Sequence, residues 1–509
     1  MNIIKPPFAW LLKYTAVINE VSLIAIAALM RVYQLGSLPF GLSADEARVG
    51  LSASNLVHHG WWPGFSPDSV FSPLWTALQA LPVAVFGNTV WALRLWPVVF
   101  GVVAVWATWR WSRAWFGEQV GWAAAFLVAV IPWAISSSRD ATGSVLPMAL
   151  LPLGLWLYTR AVKHNKPVDK IGLIAVAVVC LFAGPLSWTI DALLLFLVTR
   201  QLFAAKRLPS LTPVNLGVFG SLAAIAVAIV LALLGSRATV AQMWTYYGWT
   251  LNPMALAESF SRTILMFVVR GDESWLRNFS GDPMLNPFIG LMLVVGVMVV
   301  IVHYRSKRHL MLLGSLVFLL VPAILSIATT PNSGLAAVTV PIVAVLASIG
   351  ITYMLMLWRV TFPLNSAARS TGVAVITLLL LLTLVQSYTQ YFNAWAKSAE
   401  SYAAYNETAI YVGNYLKAND KGAFKYVVAT AQEQTIIDYL NWNPKYRSIR
   451  AADINRLSGD NKGRQFILTT STRTEAAFNL TAKLSGGILR PYLSKFSQED
   501  VYYVYEAPK

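Results

Sequence analysis

The chain is poor in charged residues and in cysteine, and each shortage excludes a class of protein. Only 12% of its 509 residues are charged, whereas 57% are hydrophobic. Soluble domains carry roughly 25% charged residues, so the composition favours a membrane protein. The single cysteine, Cys180, excludes an internal disulfide framework and a metal site built from cysteines.

Lysine is scarce before residue 390, and where it lies matters more than the net charge of +16. In a soluble protein such a charge would suggest a nucleic-acid partner. Here the lysines lie in the N-terminal segment and between apolar runs, which follows the positive-inside rule. We therefore expect a membrane and no nucleic acid as partner. These lysines are Lys5, Lys13, Lys163, Lys166, Lys170, Lys206 and Lys307.

Long apolar runs recur along residues 1–390 and predict a polytopic α-helical membrane domain of about eleven spans. No small-residue cleavage site follows the first run, which we interpret as a retained span and not a signal peptide. The predicted spans are Ala16–Leu35, Val90–Thr108, Val120–Ser136, Ser144–Tyr158, Ile171–Ala183, Ser187–Thr199, Val214–Leu234, Met284–Val302, Leu310–Ile327, Ala336–Met356 and Thr371–Gln386.

The basic loops predict an orientation in the plasma membrane. Lys5 and Lys13 place the N-terminus in the cytoplasm. The apolar segment Pro73–Phe86 is too short to span, and if it spanned, the later basic loops would all face outward. We therefore expect it to be an interfacial helix within a first outer loop, residues 36–89.

From residue 391 onward the composition becomes that of a soluble protein. FKYVVAT, RQFILTT and DVYYVYE are typical of strands, and QEQTIIDYL and EAAFNLTAKL of helices between them. A longer helical pattern runs from Ser398 to Asn419. Residues 391–509 therefore predict a small α/β domain, which the topology places on the extracytoplasmic side.

The first outer loop contains the charged cluster Asp45, Glu46 and Arg48. Ser43 and Glu46 fit a capping box at the start of a helix, and that structural role is sufficient to explain Glu46. It does not require Asp45, which could pair with Arg48 one turn later. Asp45 is thus either a favourable charge at a helix start or a general base toward an acceptor hydroxyl.

Other charged residues lie within or next to the predicted spans. Arg139 and Asp140 occupy a short outer loop, where they form either an interfacial ion pair or a contact to a phosphate-bearing ligand. Arg94 and Asp191 lie inside spans, where ionisable groups either pair structurally or line a cavity. Arg31 lies near the outer end of the first span, where its side chain can extend toward the headgroups.

Five segments, in this order along the chain, are similar to motifs of one family of membrane enzymes. They are LGSLPFGLSADEARVGLSASNLVHHGWWP, ALRLWPVVFGVVAVWATWRWSRAWFG, SSSRDATGSVLPMALLPL, GDESWLRNFSGDPMLNPFIGLMLVVG and PNSGLAAVTVP. They resemble the GT-C fold membrane glycosyltransferases, and more narrowly the family 39-like group of protein mannosyltransferases and aminoarabinose transferases. Asp45-Glu46-Ala47-Arg48 matches the D-E-x-R pattern in the first outer loop of that group.

The resemblance implies an inverting transfer of a sugar from a polyprenyl-phosphate-linked donor to a hydroxyl of a lipid, glycan or protein acceptor on the extracytoplasmic face. It assigns the base to Asp45, with Glu46 and Asp140 in support. The arginines that it assigns to the departing donor phosphate, where negative charge develops, are Arg48, Arg139, Arg94 and Arg277. It assigns no residue to a metal and leaves a divalent metal open as a cofactor.

Two other interpretations fit parts of the sequence. A lipid or polysaccharide transporter would have charges near mid-span and a repeat symmetry, whereas the charges here gather at one face. A non-catalytic relative of the GT-C enzymes would keep the fold without the chemistry. We favour the glycosyltransferase.

Overall fold

The fold is described by a computed structural model for residues 9–62, 64–66, 71–204, 220–221, 223–225, 227, 236–327, 331–419, 424–442, 445–457, 463–484, 486–494 and 498–508. Most of the predicted span Val214–Leu234 lies outside these residues. In the described part, helices dominate up to about residue 420, and a small mixed sheet follows.

The helices of the larger, N-terminal part begin and end at residues that suit helix termini. For example, the Ser72 hydroxyl caps the Trp75 amide ahead of Pro73 at the first helical position. The helices are α1 (Ala9–Val32), α2 (Ala44–His59), α3 (Pro73–Phe86), α4 (Val90–Leu93), α5 (Leu95–Phe116), α6 (Glu118–Val130), α7 (Pro132–Ser137), α8 (Val145–His164), α9 (Pro167–Phe182), α10 (Pro185–Ala204), α11 (Arg237–Tyr247), α12 (Pro253–Leu265), α13 (Pro287–Val302), α14 (Lys307–Leu325), α15 (Ser333–Ala336), α16 (Val340–Thr361) and α17 (Ser366–Tyr388).

Five helical stretches among the described residues are long and apolar enough to cross a membrane, which identifies a membrane protein. Length and apolar character thus identify five spans among the described residues, fewer than the predicted total of about eleven. The five stretches are Val90–Phe116, Val145–His164, Lys307–Leu325, Ser333–Thr361 and Ser366–Trp395. Shorter apolar helices are Pro73–Phe86, Glu118–Val130 and Pro287–Val302. The helix Pro73–Phe86 has the predicted bounds.

Three predictions for this part differ from the structure. The first helix begins at Ala9, before the apolar run itself. The predicted span Val120–Ser136 is two helices, because Pro132 supplies no amide hydrogen and begins a new helix. The predicted outer loop Gly235–Pro283 contains α11 and α12, whose capping side chains Ser236 and Asn252 were not recognised as helix starts.

Helix α16 lies at the centre of the helical core, and α13 crosses it at backbone contact. The most apolar stretch of Ser333–Thr361 is entirely buried. At the crossing, a Cβ on Gly296 would overlap the carbonyl oxygen of Leu346, and one on Gly350 would overlap that of Met292. Two glycines on facing helices thus permit a close approach, as small residues commonly do in membrane helix pairs.

The C-terminal part is an α/β unit with a five-stranded sheet in the order β2-β1-β3-β5-β4. The strand β1 is parallel to β2 and β3, whereas β5 is antiparallel to β3 and β4. The three predicted strands are confirmed as β1, β3 and β5, and both edge strands were missed. The elements are α18 (Ala399–Ala404), α19 (Glu407–Ala418), β1 (Lys425–Val428), α20 (Ala431–Leu440), β2 (Tyr446–Ile449), β3 (Gln465–Thr469), α21 (Arg473–Lys483), β4 (Ile488–Leu493) and β5 (Asp500–Glu506).

The two parts share apolar contacts. The helix α17 continues as a π-helix over Thr389–Trp395, and Trp395 packs in one cluster with Met30 and Ile135. Tyr439 of α20 belongs to a second cluster that includes Ala47 of α2. The junction near residue 391 is therefore packed against the helical part, and the two-domain division at 390 stays a prediction.

We expect Gly350→Leu to destabilise the protein, because its side chain would force α13 and α16 apart. Overpacking a buried position costs about 1–3 kcal/mol, and here the obstacle is backbone, which cannot move aside like a side chain. The measurement is thermal unfolding of the detergent-solubilised protein by tryptophan fluorescence. The matched control is Gly314→Leu on α14, where no atom lies within 4 Å of the added Cβ. Equal melting temperatures for the two variants would contradict the crossing.

Candidate functional site

The site begins at the first turn of α2, which a capping box fixes. The Ser43 hydroxyl accepts a hydrogen bond from the Glu46 amide at 3.2 Å, and Glu46 Oε2 accepts one from the Ser43 amide at 2.8 Å. The other oxygen of Glu46 accepts from the Ala141 amide at 3.1 Å and lies 3.6 Å from Arg94 Nε. Glu46 is fully buried, so both its oxygens serve the framework of the site.

Asp45, the adjacent residue, faces a cavity and is held by two hydrogen bonds. Arg48 Nη1 donates to Oδ1 at 2.8 Å, as the one-turn spacing predicted. The Tyr246 hydroxyl donates to Oδ2 at 3.0 Å from a position 201 residues later in the chain. The Asp45 side chain is 40% exposed, so it remains accessible despite these two contacts.

Buried arginines hold the chain between α1 and α2. Arg139 donates to the carbonyl oxygens of Arg31, Tyr33, Gln34 and Leu38 at 2.6–3.1 Å. It thereby satisfies carbonyls at the end of α1, where a positive charge also suits the helix dipole. The predicted ion pair between Arg139 and Asp140 does not form.

Arg94 and Arg31 act in the same way. Arg94 donates to the carbonyl oxygens of Pro39 at 2.9 Å and Gly41 at 2.7 Å. Arg31, which we expected to extend toward the headgroups, is fully buried and donates to Val128 and Ala129 at the end of α6. Neither guanidinium group lines the cavity that Asp45 faces.

The same chain segment contacts the junction that follows the last long helix. The Leu42 amide donates to the carbonyl oxygen of Tyr405 at 3.0 Å, and the Asn406 side chain donates to the carbonyl oxygen of Leu42 at 3.3 Å. Gly41 has a φ of 107° and lies so close to Tyr405 that a Cβ would overlap its carbonyl oxygen. Only glycine suits both the backbone conformation and the available space.

A second charged group of the site is centred on Arg277. Its Nη2 donates to Asp140 Oδ2 at 2.7 Å, and the other Asp140 oxygen accepts from the Thr142 amide at 2.8 Å. Asp272 accepts from the Ser333 amide at 3.0 Å and fixes the turn on which Gly334 lies. A Cβ on Gly334 would lie 2.8 Å from Arg277 Cζ, so the guanidinium group rests against a bare backbone.

The two charged groups line one cavity of about 480 Å³. Its charged lining residues are Asp45, Arg48, Asp272 and Arg277, and a residue of the α/β unit, Gln432, lines it too. The remaining lining residues are Ser43, Ala44, Ser72, Thr142, Gly143, Ser144, Pro147, Ala183, Gly184, Pro185, Leu186, Tyr246, Tyr247, Ser274, Leu276, Asn332, Gly334, Leu335, Ala404 and Asn406.

The predicted site residues thus divide into two sets. Asp45, Arg48 and Arg277 line the cavity, and Asp140 lies behind Arg277. The others, Glu46, Arg94 and Arg139, are buried behind the wall. Their hydrogen bonds are directed to backbone groups, and none of the three lines the cavity, so their expected roles stay predictions.

Two site residues were missed from the sequence. Asp272 lies in the segment GDESWLRN that was recognised as a motif, so a signal for it existed. Tyr246 lies in the predicted outer loop Gly235–Pro283, and no motif in the neighbouring sequence marks it. Its contact with Asp45 exists only in the folded chain.

Burial sets the proton affinities of two groups around Asp45. Burial raises the pKa of Glu46, and Asp140 raises it further, whereas Arg94 and the amides of Ser43 and Ala141 oppose the shift. Burial and the neighbouring carboxylate of Asp45 raise the pKa of Tyr246, so its hydroxyl keeps its proton and acts as a donor.

The described residues contain no group of three histidine, cysteine, aspartate or glutamate side chains that could hold a metal ion. Asp191, which could have paired or lined a cavity, is buried in α10, and no residue that the structure describes hydrogen-bonds to its carboxylate. It does not line the cavity next to Asp45. The charges that the cavity can offer a ligand are therefore those of Asp45, Arg48, Asp272 and Arg277.

Comparison of the sequence with known families finds one match. Residues 70–227 match the model of the family described as dolichyl-phosphate-mannose-protein mannosyltransferase. This stretch includes Arg94, Arg139 and Asp140 but not Asp45. No curated protein matches the chain by sequence.

Comparison with solved structures shows the fold. ArnT from Cupriavidus metallidurans, bound to undecaprenyl phosphate, is 13% identical with a TM-score of 0.54 over 98% of each chain. The archaeal oligosaccharyltransferase AglB from Archaeoglobus fulgidus, in complex with an inhibitory peptide and a dolichol-phosphate, has a TM-score of 0.55 at 13% identity, over 98% of this chain and 75% of that one. The oligosaccharyltransferase of the same organism tethered to an acceptor peptide has a TM-score of 0.53 at 13% identity, over 95% and 70%.

Together these matches confirm the resemblance to the family 39-like membrane glycosyltransferases. The chain has the GT-C fold, since it aligns with ArnT along nearly its whole length.

We expect Arg139→Met to destabilise the protein by about 3 kcal/mol or more, because a hydrogen bond to a charged group contributes roughly 1.5–3 kcal/mol and several are lost together. Thermal unfolding in detergent measures the loss. Arg262→Met is the matched control, since Arg262 is exposed and forms only a surface ion pair with Glu258. A stable Arg139→Met protein with weakened donor binding would show instead that Arg139 contacts phosphate.

Proposed function

We propose that this protein is an inverting glycosyltransferase that moves a sugar from a polyprenyl-phosphate-linked donor to an acceptor hydroxyl. The observation that carries the proposal is the single cavity that the accessible carboxylate of Asp45 and the guanidinium group of Arg277 both line. The GT-C fold and the match to the mannosyltransferase family support it. The similar solved structures are bound to undecaprenyl phosphate and to dolichol-phosphate, which supports a polyprenyl-phosphate-linked donor.

The chemical step needs one proton acceptor and one site for developing negative charge. Asp45 accepts the proton of the acceptor hydroxyl while the acceptor oxygen forms a bond to the anomeric carbon. The bond from that carbon to the phosphate oxygen breaks, and its electron pair leaves with the lipid phosphate. Attack from the face opposite the phosphate inverts the anomeric configuration.

Arg277 and Arg48 are the proposed partners of the departing phosphate. Both line the cavity, and a guanidinium group can donate two parallel hydrogen bonds to phosphate oxygens. Asp140 orients Arg277 through one nitrogen and leaves others for a ligand. Arg94 and Arg139 are left out of this role, because backbone carbonyls already engage their terminal nitrogens away from the cavity.

Tyr246 is a positioning residue in this proposal. Its hydroxyl fixes Oδ2 of Asp45 while Arg48 fixes Oδ1, so the carboxylate is held in one orientation before the acceptor arrives. Such preorganisation avoids rearrangement during the reaction. Glu46 belongs to the framework: it holds the helix start against Ala141 and so determines where Asp45 points.

We further propose that the cavity opens on the extracytoplasmic side, with the N-terminus of the multi-pass chain in the cytoplasm. The distribution of lysines between the apolar runs supports this orientation. A donor with a polyprenyl tail resides in the bilayer, which explains why a sugar transferase contains apolar helices. The acceptor is a hydroxyl of a lipid, glycan or protein.

We expect Asp45→Asn to lower sugar transfer at least 100-fold, in line with the contribution of a general base. The assay uses membranes supplied with undecaprenyl-phosphate-linked hexoses or pentoses, and proton NMR of the product reads its anomeric configuration. Glu258→Gln, an exposed carboxylate outside the cavity, is the control and should transfer normally. Full activity in Asp45→Asn would contradict the assignment of Asp45 as the general base. Unchanged surface glycans after substitution of both Asp45 and Asp140 would favour a non-catalytic relative of the GT-C enzymes.

We expect Tyr246→Phe to lower kcat roughly tenfold while the KM for the donor stays unchanged, because one hydrogen bond of about 1.5 kcal/mol to the base is lost. Its neighbour supplies the matched control: Tyr247→Phe removes a hydroxyl for which the structure records no hydrogen bond, although its ring stacks on Trp249. A variant Tyr246→Phe with normal kcat, or one whose loss equals that of Tyr247→Phe, would contradict the positioning role.

A further inference from the structure

The α/β unit contains a cavity of its own, of about 490 Å³. It lies where the parallel strands β1 and β2 end, between the start of α20 and the turn that follows β2. The residues that line it are Ala429, Ala431, Gln434, Arg447, Ser448, Ile449, Arg450, Asp453, Arg456 and Leu457. Clefts at the carboxyl ends of parallel strands are common ligand sites in α/β folds.

The charge of this cavity is strongly positive. Three arginines and one carboxylate line it, which leaves a net charge of +2. Asp453 lies 3.4 Å from Arg456, whereas the side chains of Arg447 and Arg450 have no ion pair or hydrogen bond among the residues that the structure describes. Two guanidinium groups are thus free to bind an anion at the same opening.

The other groups of the cavity suit a phosphate that carries a neighbouring hydroxyl. The first turn of α20 contributes Ala431, but the Glu433 carboxylate already caps this helix start and accepts from the Thr430 amide at 2.9 Å, so the phosphate is left to the arginines. The side-chain amide of Gln434 donates to Asp438 at 2.6 Å. Its carbonyl oxygen is buried without a partner in the described structure, so it is left to accept a hydrogen bond from a ligand.

This cavity and the first one border the same helix turn. Gln432 lines the cavity that contains Asp45. Ala431 and Gln434 line the second cavity, which contains Arg447, Arg450 and Arg456 and is called the arginine cavity below. Glu433 anchors the turn between them through the hydroxyl groups of Thr430, Thr469 and Ser471 at 2.8–2.9 Å. A ligand in the arginine cavity would therefore lie next to a fixed wall of the first site.

We infer that the arginine cavity binds a phosphate group of a hydroxyl-bearing ligand, with Arg447 and Arg450 on the phosphate and Gln434 Oε1 on the hydroxyl. The assignment is independent of sugar transfer at Asp45, since it needs neither the base nor the donor. The phosphate can come from a soluble molecule or from a lipid headgroup, and the chemistry of the cavity suits both.

The test is calorimetric titration of the full chain in detergent with glycerol 3-phosphate. We expect saturable binding that the double variant Arg447→Gln/Arg450→Gln weakens at least tenfold. Arg490→Gln, an exposed arginine of β4 outside the cavity, should bind like the unaltered protein. Asp45→Asn should also bind normally, which separates this site from the proposed reaction. Arg48→Gln tests whether glycerol 3-phosphate binds in the first cavity instead. Loss of glycerol 3-phosphate binding in that variant alone would overturn the inference.

Two further arms distinguish the source of the phosphate. The short-chain lipid dihexanoyl phosphatidylglycerol presents a headgroup phosphate with hydroxyls, and inorganic phosphate presents neither tail nor hydroxyl. If the lipid binds ten times more tightly than glycerol 3-phosphate, and the double variant abolishes this binding, the natural ligand is a lipid headgroup. If glycerol 3-phosphate binds ten times more tightly than the lipid, the natural ligand is a soluble molecule. Equal binding of every probe to the double variant and to the unaltered protein would refute the site.

Discussion

The buried arginines that bind backbone carbonyls determine the shape of the site. The chain between α1 and α2 has no regular structure, so its carbonyls need donors once it is buried. Arg139 supplies donors to four of them and Arg94 to two more near Gly41. Removing a guanidinium group would leave buried carbonyls unsatisfied, each at a cost of about 1–3 kcal/mol. The orientation of Asp45 depends on this network, because Asp45 lies directly after the segment that it holds.

Charge in this protein therefore serves two purposes that the sequence alone does not separate. Glu46, Arg94 and Arg139 are buried and fully committed to the framework, whereas Asp45 and Arg277 keep a face on the cavity. A buried ion pair adds little to stability on its own, but here its hydrogen bonds connect elements far apart in the chain. Among the described residues, only a small number of charged groups is left to face a ligand in the cavity.

Much of the fold follows from local patterns in the sequence, and the site follows only in part. The bounds of α3, the three inner strands and the pair Asp45–Arg48 were predicted, because each is decided by neighbouring residues. The edge strands β2 and β4 were missed, since an edge tolerates exposed and mixed sequences, even Pro491. The carbonyl partners of Arg139 and the contact of Tyr246 with Asp45 join residues about a hundred or more positions apart. No periodicity or spacing reports such partners.

The contact of Gly41 and Leu42 with Tyr405 joins the loop between α18 and α19 to the turn that precedes α2. A tilt of the α/β unit would pull on Tyr405, and a backbone hydrogen bond with no side chain between would carry that displacement into the turn before Asp45. The displacement would reach Asp45 through the first turn of α2. A molecule that shifts the α/β unit by a fraction of an ångström would then change the alignment of the proposed base without entering the cavity.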